Sequence, residues 1–216
     1  MDAVVFLASG GLDSTVGMYK AIEDVNCRIY PLYIRRGSRA QNRELDALEN
    51  EIYPRIQMKY PKKVMGLIIT SLVFPPDEWK HLYQKEEVER LGHPMRDIML
   101  QSVGVQCAVY LNETRGEDIH TVMIGQTIDE VMPHANSEAL RLASYYTQLD
   151  RNDERWAIRS PLLWPTPMTK ADVVRWGIEH DIPLNETWSC FEGDDRPCEK
   201  CQECIRRQDA FKKVGV

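Results

Sequence analysis

The chain has 216 residues, 43% of them hydrophobic and 28% charged, with a formal net charge of −6 from 33 acidic and 27 basic side chains. That is room for one ample α/β core, or a core with a small appendage, in an ordinary globular composition. The acidic balance argues against broad electrostatic, direct binding of nucleic acid, though not against a local basic groove; no apolar run nears the roughly 20 residues of a membrane span, and the N-terminus lacks the basic segment expected of a secretion signal.

The first apolar run, Ala3–Ala8, reads as a buried strand that empties into Ser9-Gly10-Gly11-Leu12-Asp13-Ser14-Thr15. Two glycines let the backbone approach an anion without a Cβ in the way. Successive N–H groups, hydroxyls and a helix N-terminus then converge on negative charge. No lysine follows the second glycine, so this is not a Walker A loop. A plain serine/glycine turn capping a helix is the alternative. A helix is expected from Asp13 to Asp24, a strand over Arg28–Ile34, and a charged helix from Arg39 to Lys59. Val64–Thr70 reads as the third strand, Pro75-Pro76 as a break, and Trp79–Leu91 and Met95–Asn112 as helices. His120–Gly125 is the fourth strand, and a helix over Ser137–Leu149 and a polar loop, Asp150–Glu154, follow. Ile158–Leu163 is the fifth strand, with Pro161 marking its end. Thr169 reads as the N-cap of a helix running to Glu179, and a last helix spans Glu203–Lys213.

This alternation predicts an α/β fold: a doubly wound, mostly parallel five-stranded sheet with helices on both faces. Ligands in such sheets sit beyond the carboxyl ends of the strands. Ser9, Arg35, Arg96, Gly125 and Ser160 fall at such ends or on the helices after them. Residues 1–187 are expected to form the core domain, and residues 188–216 a metal-binding tail with a C-terminal helix.

In that tail Cys190, Cys198, Cys201 and Cys204 are spaced C-x7-C-x2-C-x2-C, which is metal-ligand spacing. Four thiolates surround Zn²⁺ tetrahedrally at about 2.3 Å each and leave no coordination position open, so a structural zinc is expected. Its apparent binding energy, on the order of 10–16 kcal/mol, is ample to order a loop-rich segment. Arg196, Lys200, Arg206 and Arg207 are positioned to offset the double negative charge of the site. An iron–sulfur cluster and a disulfide pair are the alternatives, in that order. Cys27 and Cys107 stand apart and read as inert buried thiols. Cysteine clustered in this way fits a reducing, cytoplasmic setting.

The heptad Ser9–Thr15 resembles the motif of the PP-loop ATP pyrophosphatases, which cut ATP between the α and β phosphates and have an adenine-nucleotide alpha-hydrolase-like fold. Together with Trp188-Ser189-Cys190 and the cysteines after it, it resembles the 7-cyano-7-deazaguanine synthase family of queuosine-precursor biosynthesis. Tyr33–Leu45, Pro94–Asp97, Ile124–Asp129, Arg159–Leu162 and Thr169–Asp172 resemble segments of that family, so the likeness covers nearly the whole chain. The resemblance implies an ATP-dependent ligase that adenylates a carboxylate, 7-carboxy-7-deazaguanine or a relative, and converts it with free ammonia to an amide and then a nitrile. It implies that Ser9, Gly10, Gly11, Leu12, Asp13, Ser14, Thr15 and Gly125 bind the nucleotide with Mg²⁺. It further implies that Ser9, Asp13, Arg96 and Lys170 carry the chemistry, the last two by offsetting charge on the separating phosphates. From the residues alone, Arg96 in a surface salt bridge and Lys170 as a solvated helix lysine remain the alternatives.

The chain also departs from the family. The stretch expected to read Asp-x-Ser-Gly-Tyr-Pro-Asp-Cys-Arg is Asp129-Glu130-Val131-Met132-Pro133-His134-Ala135-Asn136, in which only Asp129 and Pro133 correspond. Asp97 replaces an asparagine, adding a negative charge that repels a carboxylate unless a metal or an arginine compensates. His134 is a candidate substrate contact or general base, with a solvent-facing loop histidine as the alternative. The chain therefore reads as a divergent member or a paralogue. The resemblance leaves open, as the alternative, a paralogue of the kind that can belong to antiphage systems, which uses adenylation to attach a deazaguanine or related acid to a protein or nucleic acid. Readings outside this chemistry are an RNA-thiolating enzyme and a non-catalytic zinc-containing interaction module. A homodimer is open, since sheets of this kind often pair across an edge or a helix face.

Overall fold

In the computed structural model, all residues are described except Met1, Ser38, Arg39, 81–86, Glu89, Arg90, Pro133 and Asp194. The first strand, β1 (Ala3–Leu7), lies in the middle of a sheet of order β3-β2-β1-β4-β5, with β2 at Arg28–Arg35, β3 at Ile68–Ser71, β4 at Thr121–Met123 and β5 at Ala157–Arg159. Every pairing is parallel. Alternation within the strands sorts the core into two layers. Val4 and Phe6 of β1, Ile29 and Tyr33 of β2 and Met123 of β4 face one layer. Val5, Tyr30, Leu32, Ile34 and Val122 face the other.

Helix α1 (Leu12–Glu23) follows β1, and α2 (Ala40–Ala47) follows β2. The latter continues through a π turn, Leu48–Ile52, into α3 (Tyr53–Lys59). These helices pack on the first layer with α7 (Lys170–Glu179) and α8 (Gln202–Val214). A short α4 (Asp77–Lys80) precedes α5 (Arg96–Arg115). Helix α5 and α6 (Ser137–Arg151) cover the second layer through Val105, Ala108, Leu111, Leu140 and Ala143. Helices thus occupy both faces, as the alternation predicts. Much of the expected helix Trp79–Leu91, the start of the helix expected from Arg39, and Pro133 lie outside the described residues.

Several boundaries differ from the sequence reading: β4 is shorter at both ends, α5 runs on to Arg115, and three further differences have a visible cause. Ile29 pairs with Val64 and Leu32 with Ile68, so three steps along β2 match four along the next segment. The extra residue falls at Met65–Leu67, next to Gly66, and a bulge delays β3. Strand β5 stops at Arg159 because the Ser160 hydroxyl replaces its ladder. That hydroxyl accepts the N–H groups of Gln126 (3.1 Å) and Leu162 (3.2 Å) and donates to Gln126 O (2.8 Å). Helix α6 runs on to Arg151, into the stretch expected to be loop, and closes on Asn152 in the left-handed conformation. Thr169 caps α7 as expected: its hydroxyl accepts the Asp172 N–H, and Asp172 Oδ2 accepts the Thr169 N–H at 3.0 Å.

Candidate active site

The order of the strands reverses between β1 and β4, and a cleft of about 280 Å³ opens there. Ser9 and Ser14 line it from the first turn, Arg36 and Glu44 from beyond β2, and Gly125 and Gln126 from beyond β4. Gly10 has φ +77°, and a Cβ on it would overlap the Glu44 carbonyl oxygen, so only glycine fits. The turn is braced internally. The Ser9 N–H donates to Ser14 Oγ at 2.9 Å and the Gly11 N–H to Ser9 Oγ at 3.2 Å. Gly11 is the N-cap of α1 and offers no side chain to the first N–H groups of the helix. That leaves the donor-rich positive end that anions seek. A Cβ on Gly125 would sit 2.7 Å from the Asp13 carbonyl and the Ser14 nitrogen, so glycine lets β4 deliver its end against the turn. Leu12 is core, and only its backbone is available to a ligand. Thr15 Oγ1 and Asp13 Oδ1 are buried without a hydrogen-bond partner.

Behind the turn runs a chain of alternating charge. Lys170 Nζ lies 3.0 Å from Asp13 Oδ2 and 2.7 Å from Glu203 Oε2, and its side chain is only 4% exposed. The solvated-lysine alternative is therefore wrong. Burial by itself pulls the ammonium pKa down, but the carboxylates of Asp13 and Glu203 outweigh it and hold the group above its ordinary value. Arg206 extends the chain from Glu203 Oε1 (2.9 Å) to Glu130 Oε2 (2.7 Å). Asp129 accepts the Lys170 N–H at 3.0 Å, which fixes the start of α7. Arg206 is thus committed to carboxylates. Arg207 donates to Thr187 Oγ1 (2.6 Å) and Leu184 O (2.7 Å), which pins the approach to the tail.

On the other wall Arg96 Nε donates to Asp97 Oδ1 at 2.7 Å, and His134 Nε2 lies 3.2 Å from Asp97 Oδ2. The negative charge introduced by Asp97 is compensated by its neighbouring arginine, and Arg96 still lines the cleft. Glu44 is nearly fully buried, with Arg36 Nη2 at 3.7 Å and Oε2 without a hydrogen-bond partner. Burial pushes its carboxyl up to about 7, against the pull of Arg36 and Arg96.

The four tail cysteines converge, with all sulfurs within 4.8 Å of one another. Cys198 Sγ and Cys204 Sγ are 4.0 Å apart. Cys190 Sγ accepts the N–H groups of Gly193 (3.0 Å) and Cys198 (3.3 Å), and Cys198 Sγ accepts that of Cys201 (3.3 Å). Backbone N–H groups aimed at sulfur are what thiolates around a cation require. The N–H groups of Lys200 and Cys201 help bring the Cys198 thiol down to about 7. Cys27 and Cys107 lie apart from the cluster, and burial pushes each up to about 11, as inert thiols require. The tail also reaches the turn: the Trp188 N–H donates to Gly10 O at 3.0 Å, and Phe191 lines the cleft.

The structure thus brings Ser9, Gly10, Gly11, Asp13, Ser14, Gly125 and Lys170 together, sets Arg96 across the same cleft, and gathers the four cysteines beside it. Sequence reasoning assigned no role to Glu44, Glu130 or Glu203. For Glu203 the one available signal was its place inside a CxxC pair, between Cys201 and Cys204.

The family model described as "Queuosine biosynthesis protein QueC" matches residues 3–215. Among curated proteins, 7-cyano-7-deazaguanine synthase of Archaeoglobus fulgidus is 28% identical over 98% of this chain and 87% of its own length. That of Methanoculleus marisnigri is 27% identical over 100% and 96%, and that of Methanosarcina mazei 29% over 100% and 96%. Of solved structures, the U34-tRNA thiolase NcsA from Methanococcus maripaludis with its 4Fe-4S cluster aligns with 99% of this chain and 68% of its own, at 12% identity and a TM-score of 0.44, too slight a likeness to bear on function. The match along nearly the whole chain agrees with the glycine turn at one end and the cysteine cluster at the other, and the chain belongs to the QueC family.

Proposed function

We propose that this chain is an ATP-dependent carbon–nitrogen ligase that makes a nitrile from 7-carboxy-7-deazaguanine or a closely related acid. The observation that carries the reading is the uncapped glycine turn at the switch point of the sheet, with Lys170 and Asp13 buried directly behind it. Phosphates of ATP would lie within the turn Ser9–Thr15 on the N–H groups at the start of α1, Leu12–Ser14, since those of Ser9, Gly11 and Thr15 brace the turn itself. Asp13 Oδ1, a buried oxygen without a partner, suits Mg²⁺, which takes hard oxygen ligands. Arg96 and Lys170 supply positive charge as pyrophosphate departs.

The chemistry follows from a poor leaving group. Ammonia cannot expel oxide from a carboxylate. Transfer of AMP to the carboxylate oxygen releases pyrophosphate, and ammonia then displaces AMP to give the amide. A second ATP adenylates the amide oxygen, and loss of AMP and a proton from nitrogen leaves the nitrile.

The sulfur positions support one tetrahedral zinc ion. Bonds of about 2.3 Å place tetrahedral ligands a little under 4 Å apart, and Cys198 and Cys204 are 4.0 Å apart. An iron–sulfur cluster hangs thiolates on separate irons and spreads them further. With four cysteines engaged, the ion orders the tail, residues 188–216, against the core domain formed by residues 1–187.

Incubation with ATP, Mg²⁺, ammonia and 7-carboxy-7-deazaguanine should yield AMP and the nitrile by mass. Ser9→Ala and Asp13→Ala should abolish AMP release while the far-ultraviolet circular dichroism stays unchanged. No AMP under any condition refutes the reading. The altered segment Asp129–Asn136 favours one second reading, in which the adenylated acid is passed to a protein. AMP formed only when a protein acceptor is added selects it.

A further inference from the structure

We propose that Glu203 is a positioning residue that makes nucleotide binding depend on metal at the cysteine cluster. The inference rests on the reading above, with ATP at the glycine turn and one ion on the four sulfurs. Cys201 is the N-cap of α8, and Glu203 and Cys204 lie in its first turn. One turn of helix therefore carries two sulfurs and the carboxylate, and they cannot move independently.

Glu203 Oε2 holds the Lys170 ammonium at 2.7 Å, and the same ammonium holds Asp13 Oδ2 at 3.0 Å. Shared between two carboxylates, Lys170 leaves Asp13 Oδ1 buried without a hydrogen-bond partner. Arg206 fixes the other Glu203 oxygen at 2.9 Å, so Glu203 cannot follow Lys170. If the first turn of α8 slips when the ion leaves, Lys170 closes on Asp13 alone. Poorly screened charges favour that collapse, and it covers the oxygen needed by a cation bound to phosphates. A second tie runs from the chain just before the cluster: the Trp188 N–H, two residues before Cys190, holds Gly10 O at 3.0 Å. The cluster thus grips the turn twice, through charge by way of Glu203 and Lys170 and through backbone by way of Trp188.

The test measures binding of α,β-methylene-ATP with Mg²⁺ by calorimetry, and zinc affinity by competition with a chromophoric chelator. Both are read for wild type, Glu203→Gln and Glu203→Asp. Wild type stripped of zinc should bind the nucleotide about tenfold more weakly, and nucleotide should tighten zinc by the same factor, because linkage is reciprocal. Glu203→Gln should keep about one zinc per chain, bind nucleotide weakly with or without the metal, and lose the reciprocal effect. Glu203→Asp should restore part of it. Wild-type coupling in Glu203→Gln overturns the proposal, as does full-strength nucleotide binding by stripped wild type. If stripping unfolds the chain, the metal-loaded proteins still decide: equal affinity in wild type and Glu203→Gln overturns it. Metal-loaded wild type that binds no nucleotide overturns the underlying reading, and the proposal with it.

Discussion

Replacing Glu44 by glutamine probes the most heavily buried acid of the cleft. Its carboxyl is raised from an ordinary 4.5 to about 7, with burial as the leading cause. At roughly 1.4 kcal/mol per pH unit, that corresponds to on the order of 3 kcal/mol. The sign follows from proton counting. Between pH 4.5 and 7 the folded chain keeps this proton and the unfolded chain has released it, so stability falls as pH rises through that window. Below the window both states are protonated, and above it the folded chain carries the full cost of a buried carboxylate. Glutamine has the same shape and cannot ionise. Urea melts from pH 4 to 8 should therefore give two curves that nearly coincide at the acid end and separate with rising pH. By pH 8 the variant should be more stable by on the order of 3 kcal/mol. Taking the difference cancels the titration of every other group. A variant that is less stable than wild type at pH 8, or a gap that does not change with pH, would show that Arg36 and Arg96 compensate the charge fully and that the argument is wrong.

Gly10→Ala should destabilise the chain by about 2–4 kcal/mol, combining a left-handed backbone with overlap on a backbone oxygen; a urea melt within 1 kcal/mol of wild type, on that scale, would mean that the turn and α2 can separate. Cys201→Ser should lower zinc, measured by atomic absorption on purified protein, to well under about one ion per chain. Undiminished zinc would remove the four-cysteine site.

Much of the architecture was legible because its signals are local. Ala3–Leu7 is apolar throughout, as a central parallel strand must be, and Thr169 with Asp172 announces a helix start within four residues. The glycine turn and the cysteine spacing were readable for the same reason. The charge chain was not, since Asp13, Lys170 and Glu203 come from three distant stretches: the first two are marked separately, each by its own segment, and nothing local reports that they touch or that Glu203 joins them. Glu44 escaped for a related reason: a single acid in the run Arg-Ala-Gln-Asn-Arg-Glu-Leu reads as solvated, and only the assembled fold shows that it is buried. The late start of β3 depends on a bulge, which no alternation pattern reports.

Because β1 is the middle of the sheet and precedes both of its neighbours in the chain, the nascent chain carries an unsatisfied edge until β4 has been made. Strand β2 can cover one side of Ala3–Leu7 early, but the other side waits for Thr121–Met123. Until then an all-apolar strand offers free N–H and C=O groups to any extended neighbour. Fragments that end between β3 and β4 should therefore collect in inclusion bodies.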